Sequence, residues 1–101
     1  MIPYSQVSGT FYTAGGVARA NQQITFIPLS TPYAIGGEIV LSTPQITTLD
    51  SLGRLNDGGG NQWYRLAHGY YRVVVSDTDA FFIFVPDDGD TYNIDSLAAE
   101  L

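Results

Sequence analysis

Short runs of alternating apolar and polar residues, each closed by a glycine-, asparagine- or aspartate-containing turn, recur from one end of this chain to the other. Alternation with a period of two marks a strand that buries one face, so the chain is committed to sheets and to a second layer that covers them. Its 101 residues suffice for one such core but not for two, because domains cluster around ~100 to 150 residues. A single β-sandwich domain spanning residues 1–101 follows. With no cysteine in the chain, disulfides and thiolate metal sites are excluded and the core alone supplies stability.

The first strand is expected from Tyr4 to Tyr12, where Val7, Gly9 and Phe11 alternate with Ser8, Thr10 and Tyr12. Gly15 and Gly16 break it, and a second strand runs from Gln22 to Pro28 with Ile24 and Phe26 on one face. Residues 29–37, with Pro32, Gly36 and Gly37, read as an exposed loop. Glu38–Leu41 and Gln45–Leu49 are short strands on either side of Pro44, which has no N–H for a ladder and so marks an edge or bulge. Asp50-Ser51-Leu52-Gly53 has the residues of a type I turn, and Asn56–Asn61, with three consecutive glycines, reads as a mobile loop tip. Gln62–Leu66, Tyr70–Ser76 and Ala80–Val85 complete the strands, the last two joined through Asp77-Thr78-Asp79. About seven to eight strands suit a sandwich better than a barrel.

Two features of the last third stand out. The run Phe81-Phe82-Ile83-Phe84-Val85 is apolar on both faces, which requires a central strand or one covered on its outer side. Beyond Pro86, Asp95 is placed to cap a short terminal helix carrying Ile94, Leu97, Ala98 and Leu101. At about seven residues that helix has to dock on the sandwich or on a partner.

Charge excludes several functions. The net charge is −6, there is no lysine, and the arginines are scattered at Arg19, Arg54, Arg65 and Arg72, so no basic patch serves nucleic acid. No apolar run approaches the ~18 residues of a membrane span, and no signal peptide is evident. Only 14% of residues are charged, leaving a surface of Ser, Thr, Asn, Gln, Gly and Tyr suited to contact with proteins or glycans.

Candidate chemistry is sparse. His68 is the single histidine and reads as a solvent-facing turn residue before Gly69; no nucleophile-elbow motif supports a Ser-His-Asp triad, so no catalytic residue is assigned. Asp87, Asp88, Asp90, Asn93 and Asp95 offer oxygen ligands of the kind Ca²⁺ takes, but their spacing is not that of an EF-hand, and a solvated turn explains them. No cofactor or metal is assigned. Trp63, Tyr64, Tyr70 and Tyr71 lie on adjacent strands, and half of them must point outward. With Arg65 and Arg72 they supply the residue types that dominate interfaces, so Trp63, Tyr64 and Arg65 are candidate partner-binding residues, joined by Tyr33 in the exposed loop and by Leu97 and Leu101 of the terminal helix.

Four segments carry a resemblance: G-T-F-Y at Gly9–Tyr12, N-x-x-I-T-F at Asn21–Phe26, T-x-D-x-x-G-R-L at Thr48–Leu55, and L-x-x-G-Y-Y-R-V-V-V at Leu66–Val75. Their order resembles the carboxypeptidase regulatory-like, or transthyretin-like, antiparallel β-sandwich. The ending Phe82-Ile83-Phe84-Val85-Pro86-Asp87, with Leu97 and Leu101 behind it, is similar to the N-terminal domain of prophage side tail fibres. That resemblance implies a non-enzymatic virion structural protein, made in the host cytoplasm, with other virion proteins and copies of itself as partners. Such fibres continue into a long shaft, so the expectation is a small stand-alone virion protein or an excised domain, serving tail, fibre anchoring, collar or capsid decoration. The rival expectation is a carbohydrate-binding or host-adhesion module in which Trp63 or Tyr33 stacks on a host-surface glycan.

Overall fold

Strand β7 (Gly69–Val75) alternates strictly: Tyr71, Val73 and Val75 are buried, while Tyr70 and Arg72 are exposed. Around it the computed structural model, which describes residues 4–29, 33–35, 37–76 and 79–99, builds an all-β sandwich. The other strands are β1 (Tyr4–Ser8), β2 (Gln23–Pro28), β3 (Tyr33–Ile35), β4 (Glu38–Val40), β5 (Gln45–Thr48), β6 (Tyr64–Ala67), β8 (Asp79–Val85), β9 (Thr91–Asn93) and β10 (Ala98–Ala99). The larger sheet has the order β10-β8-β7-β2-β5 and the smaller one β6-β1-β9, with β3 and β4 forming a separate hairpin.

Both layers bury one face. Ile24 and Phe26 from β2, Val73 from β7, and Ile83 and Val85 from β8 are fully buried and meet Val7 of β1 and Leu66 of β6, closed at the ends by Leu49, Leu55, Ile94 and Leu97. In a chain without cysteines this core is the main source of stability. Among the described residues Ser5 is buried in it, and its hydroxyl donates to the Pro86 carbonyl at 2.7 Å. The Tyr71 hydroxyl likewise donates to the Ala67 carbonyl at 2.7 Å, tying the larger sheet to the smaller.

Strand β1 joins the beginning of the described chain to its end. It pairs antiparallel with β6 and parallel with β9, and the Gln6 N–H adds a bond to the Asp90 carbonyl at 3.0 Å. Such pairings close loops of more than fifty residues, which ties folding to long-range contacts.

Several expectations are corrected. The expected first strand stops at Ser8, and Gly9 beyond it passes so close to Ile94 that a Cβ there would lie 2.6 Å from its Cγ2. Beyond it the chain makes isolated bridges, Thr10 to Arg54 and Tyr12 to Ala18. The segment read as a loop around Tyr33 contains β3, which pairs with β4 and turns through Gly37 at φ +84°. Among the described residues the short C-terminal α-helix does not form. Ile94–Leu97 form one 3-10 turn, Asn93 rather than Asp95 occupies the capping position without a side-chain bond, and Ala98–Ala99 extend to pair with Ile83 and Phe82 of β8. Extended pairing satisfies backbone groups that so short a helix would leave unmet. Strand β9 was not anticipated, and the described strands number ten. Residues 77 and 78 of the expected β7–β8 loop, and Leu101, lie outside the described residues.

The loop at Asn56–Asn61, expected to be mobile, is laced by one side chain. Asp57 Oδ1 accepts from the Gly59 N–H at 2.8 Å and the Asn61 N–H at 3.1 Å, and Oδ2 accepts from the Asn61 amide at 2.8 Å.

Two glycines separate crowding from backbone strain. Gly53 (φ +76°) lies in the Asp50–Arg54 turn, where a Cβ would come within 2.8 Å of the Phe11 carbonyl oxygen and 3.0 Å of the Arg19 nitrogen, whereas Gly58 (φ +78°) has open space around it. Gly58→Ala is expected to cost ~1 kcal/mol, the price of the left-handed backbone alone. Gly53→Ala adds a clash with backbone on both sides and is expected to cost at least about twice that in urea unfolding. Equal costs would show that the turn is free to move away from Phe11.

Candidate functional site

Strand alternation that buries one side of a sheet decides what the other side presents, and the two sheets differ sharply there. The outer face of the smaller sheet is polar: Gln6, Ser8, Arg65, Thr91 and Asn93, with Tyr4 at one end. The outer face of the larger sheet is apolar across its middle, with exposed Gln23 and Thr48 paired at one polar end. Register places Ile46 beside Thr25, Thr25 beside Val74, Ile27 beside Arg72, Arg72 beside Phe82, and Tyr70 beside Phe84. None of these side chains belongs to the core cluster. Ile46 is 55% exposed and Tyr70 41%, while Ile27, Val74, Phe82 and Phe84 are half-buried among their neighbours.

One end of this face is aromatic. The Tyr70 ring lies 4.6 Å from that of Phe84, and the His68 ring meets Phe84 edge-on at 5.3 Å. His68 is thus half-buried, not solvent-facing as expected, and its Nδ1 lies 3.0 Å from the Val85 carbonyl oxygen. Since a carbonyl only accepts, the proton sits on Nδ1. Apart from this face, the β3–β4 hairpin exposes Ile39, with Leu41 just beyond it, and these line a groove of about 330 Å³ with Tyr4, Arg65 and Ala67 of the smaller sheet.

The residues singled out from sequence fall in three places. Trp63 and Arg65 stay together at the surface, the guanidinium 5.5 Å from the indole centroid, and with Asp57 and Tyr64 they line a shallow depression of about 430 Å³. The Tyr64 ring turns inward and stacks on Phe26 at 5.5 Å with an 11° tilt, and burial pushes its hydroxyl pKa up. Leu97 is only 7% exposed and fills the core, so it is not available to a partner; without the expected helix its side chain closes the sandwich instead. The side chain of Tyr33 lies outside the described residues, as does Leu101. Sequence reasoning noticed the two-faced run at Phe81–Val85 but did not assign Phe82, Phe84, Tyr70, Ile27 and Ile46 to one surface. The signal was there in that run, and the pairing partners were what it lacked.

The acidic segment after Pro86 is a turn in which Asp88 accepts the Tyr92 hydroxyl proton bond and the Asp90 N–H. Among the described residues, no group of three or more His, Cys, Asp or Glu side chains is placed to hold a metal ion. No helix among them is long and apolar enough to cross a membrane. No family model matches the chain, and no curated protein matches it either.

Besides Tyr64, raised by burial, four groups contribute to the pH dependence of the fold. Asp50 is held below the ordinary 3.8, chiefly by the Arg54 N–H; Asp57 by the Asn61 side chain; and Asp88 by the Tyr92 hydroxyl. The same bond pushes Tyr92 from 10.0 up to about 12. A carboxylate lowered in the folded state binds protons later than in the unfolded chain, so its contribution is complete above pH 3.8 and disappears below it. Tyr92 has the opposite sign: its contribution is complete below pH 10.0 and is lost as pH rises towards about 12. Urea midpoints measured across pH should therefore fall on both sides, with Tyr92→Phe flattening the alkaline limb and Asp50→Asn reducing the acid one. An alkaline limb unchanged in Tyr92→Phe would place its cause elsewhere.

Proposed function

We propose that this chain is a non-enzymatic structural module of a phage virion, docked through the outer face of its five-stranded sheet against a tail, collar or capsid protein. The observation that supports it most is the contrast between the two outer faces. Antiparallel sandwiches ordinarily turn polar residues to solvent on both sides, and an apolar outer face rimmed by polar residues is the mark of a surface another protein covers. Tyr70, Phe82 and Phe84 supply the aromatic area, and Arg72 the guanidinium, that dominate such contacts. The resemblance to transthyretin-like sandwiches and to side tail fibre N-terminal domains supplies the virion setting.

The second reading, a carbohydrate-binding module, rests on the shallow depression at Trp63, where an indole, a carboxylate and a guanidinium stand together. Arg65 already occupies space over that indole, which leaves less of the ring for a sugar.

Mass spectrometry of purified particles, paired with the double variant Phe82→Ser/Phe84→Ser, separates the two readings. Because both side chains lie outside the core cluster, the variant is expected to keep its circular dichroism spectrum yet be lost from particles. Trp63→Ala is expected to remain in them. Particles that contain none of the protein, or glycan-array binding abolished by Trp63→Ala with assembly intact, would favour the carbohydrate reading.

A further inference from the structure

Resting on the docking reading above and sharpening it, we propose that the outer face of the five-stranded sheet receives a different protein, one that presents a carboxylate ringed by apolar side chains, and not a second copy of this chain. The argument begins with position. In the order β10-β8-β7-β2-β5, β7 is the middle strand, and Arg72 is the middle residue of Gly69–Val75. Ile27 and Phe82 flank it across the ladder, and Tyr70 and Val74 lie on the same face two residues either side. The one guanidinium on this face thus stands at its centre.

That guanidinium has no carboxylate partner among the described residues, unlike Arg54, which pairs with Asp50 in a turn elsewhere. No acidic residue occupies an outward position on the described strands of this sheet. Burying an arginine without an acceptor is strongly unfavourable, so whatever covers the surrounding apolar side chains has to bring one. A carboxylate does so best, accepting two parallel N–H bonds from the planar fork.

A second copy fails this requirement on symmetry. In a two-fold pairing centred on this face, a central residue meets its own copy, so Arg72 would face another Arg72 inside an apolar, water-poor contact. Neither copy has an acidic side chain there to relieve the repulsion. The arginine therefore both selects an acidic partner and keeps the face from closing on itself.

The chain can be turned into its own test partner. Arg72→Glu places a carboxylate at the centre of an otherwise identical apolar face. Analytical ultracentrifugation of wild type, variant and an equimolar mixture is expected to show a 1:1 heterodimer in the mixture, tighter than either self-association by about tenfold or more and weakened by salt. Wild type mixed with Arg72→Gln is expected to form no such species, and hydrogen exchange should protect β7 and β8 in the heterodimer alone. Should Arg72→Glu fail to fold by circular dichroism, Arg72→Asp serves as the second probe. Wild type that dimerises by itself with β7 protected, or a mixture that stays monomeric, overturns the proposal. Particles that contain the protein while the mixture stays monomeric would sink this inference and leave the virion reading standing; a heterodimer with no protein in particles would do the reverse.

Discussion

Everything in this molecule depends on the register of β7 between β2 and β8. Pairing Phe26 with Val73 and Val73 with Phe81 sends one set of side chains into the sandwich and fixes the opposite set on the outside. A slip of one residue would bury Arg72 and expose Val73, so the ladder is held by the cost of that exchange. The core and the candidate interaction surface are thus two sides of one hydrogen-bonded pattern, and neither can be changed without consequences for the other.

The smaller sheet covers this ladder, and the chain's own ends hold that cover in place. Ser5 reaches across to the Pro86 carbonyl, Ser8 to the Tyr92 carbonyl at 3.2 Å, and β1 lies alongside β9. Without disulfides, these backbone and hydroxyl bonds, together with burial of Val7, Leu66 and Ile94, keep the layers together. The Asp50 turn performs the same service at the other end. Its carboxylate accepts the Leu52 and Arg54 N–H groups and the Arg54 side chain, all at 2.9 Å, while the Phe11 N–H donates to the Gly53 carbonyl at 2.9 Å.

Much of this architecture was readable in the sequence because alternation is a local property. Ile24 with Phe26, and the strands at Tyr70 and Ala80, announce their buried faces within a few residues. What could not be read was any feature in which one local signal serves two structures. Gly36-Gly37 marks a loop and a hairpin turn equally well, so the β3–β4 pair was missed. Ile94 and Leu97, three apart, fit an α-helix and a 3-10 turn alike, and pairing of Ala98 and Ala99 with β8 decided between them. Parity posed the same problem at Trp63 and Tyr64. Two adjacent rings have to face opposite ways, but only the pairing of Tyr64 with Val7, and its stacking on Phe26, shows which one goes in.

The outer face of the larger sheet shows how far a solvent-side pattern can be read once the inner one is known. Phe82 and Phe84 contribute little to the core, and a strand needs no aromatic residue on its solvent side in order to pair. Even half-buried, rings on an outer face carry a standing penalty in unwanted association, which polar replacements would remove without disturbing the ladder. Their presence beside a central arginine is therefore better explained by contact than by folding. A face tuned for stability alone would alternate with threonine and glutamine, as the smaller sheet does with Gln6, Ser8 and Thr91. Within one chain, then, the smaller sheet is the comparison: same core, same solvent, same strand chemistry, and Tyr4 as the large ring among its described outward side chains.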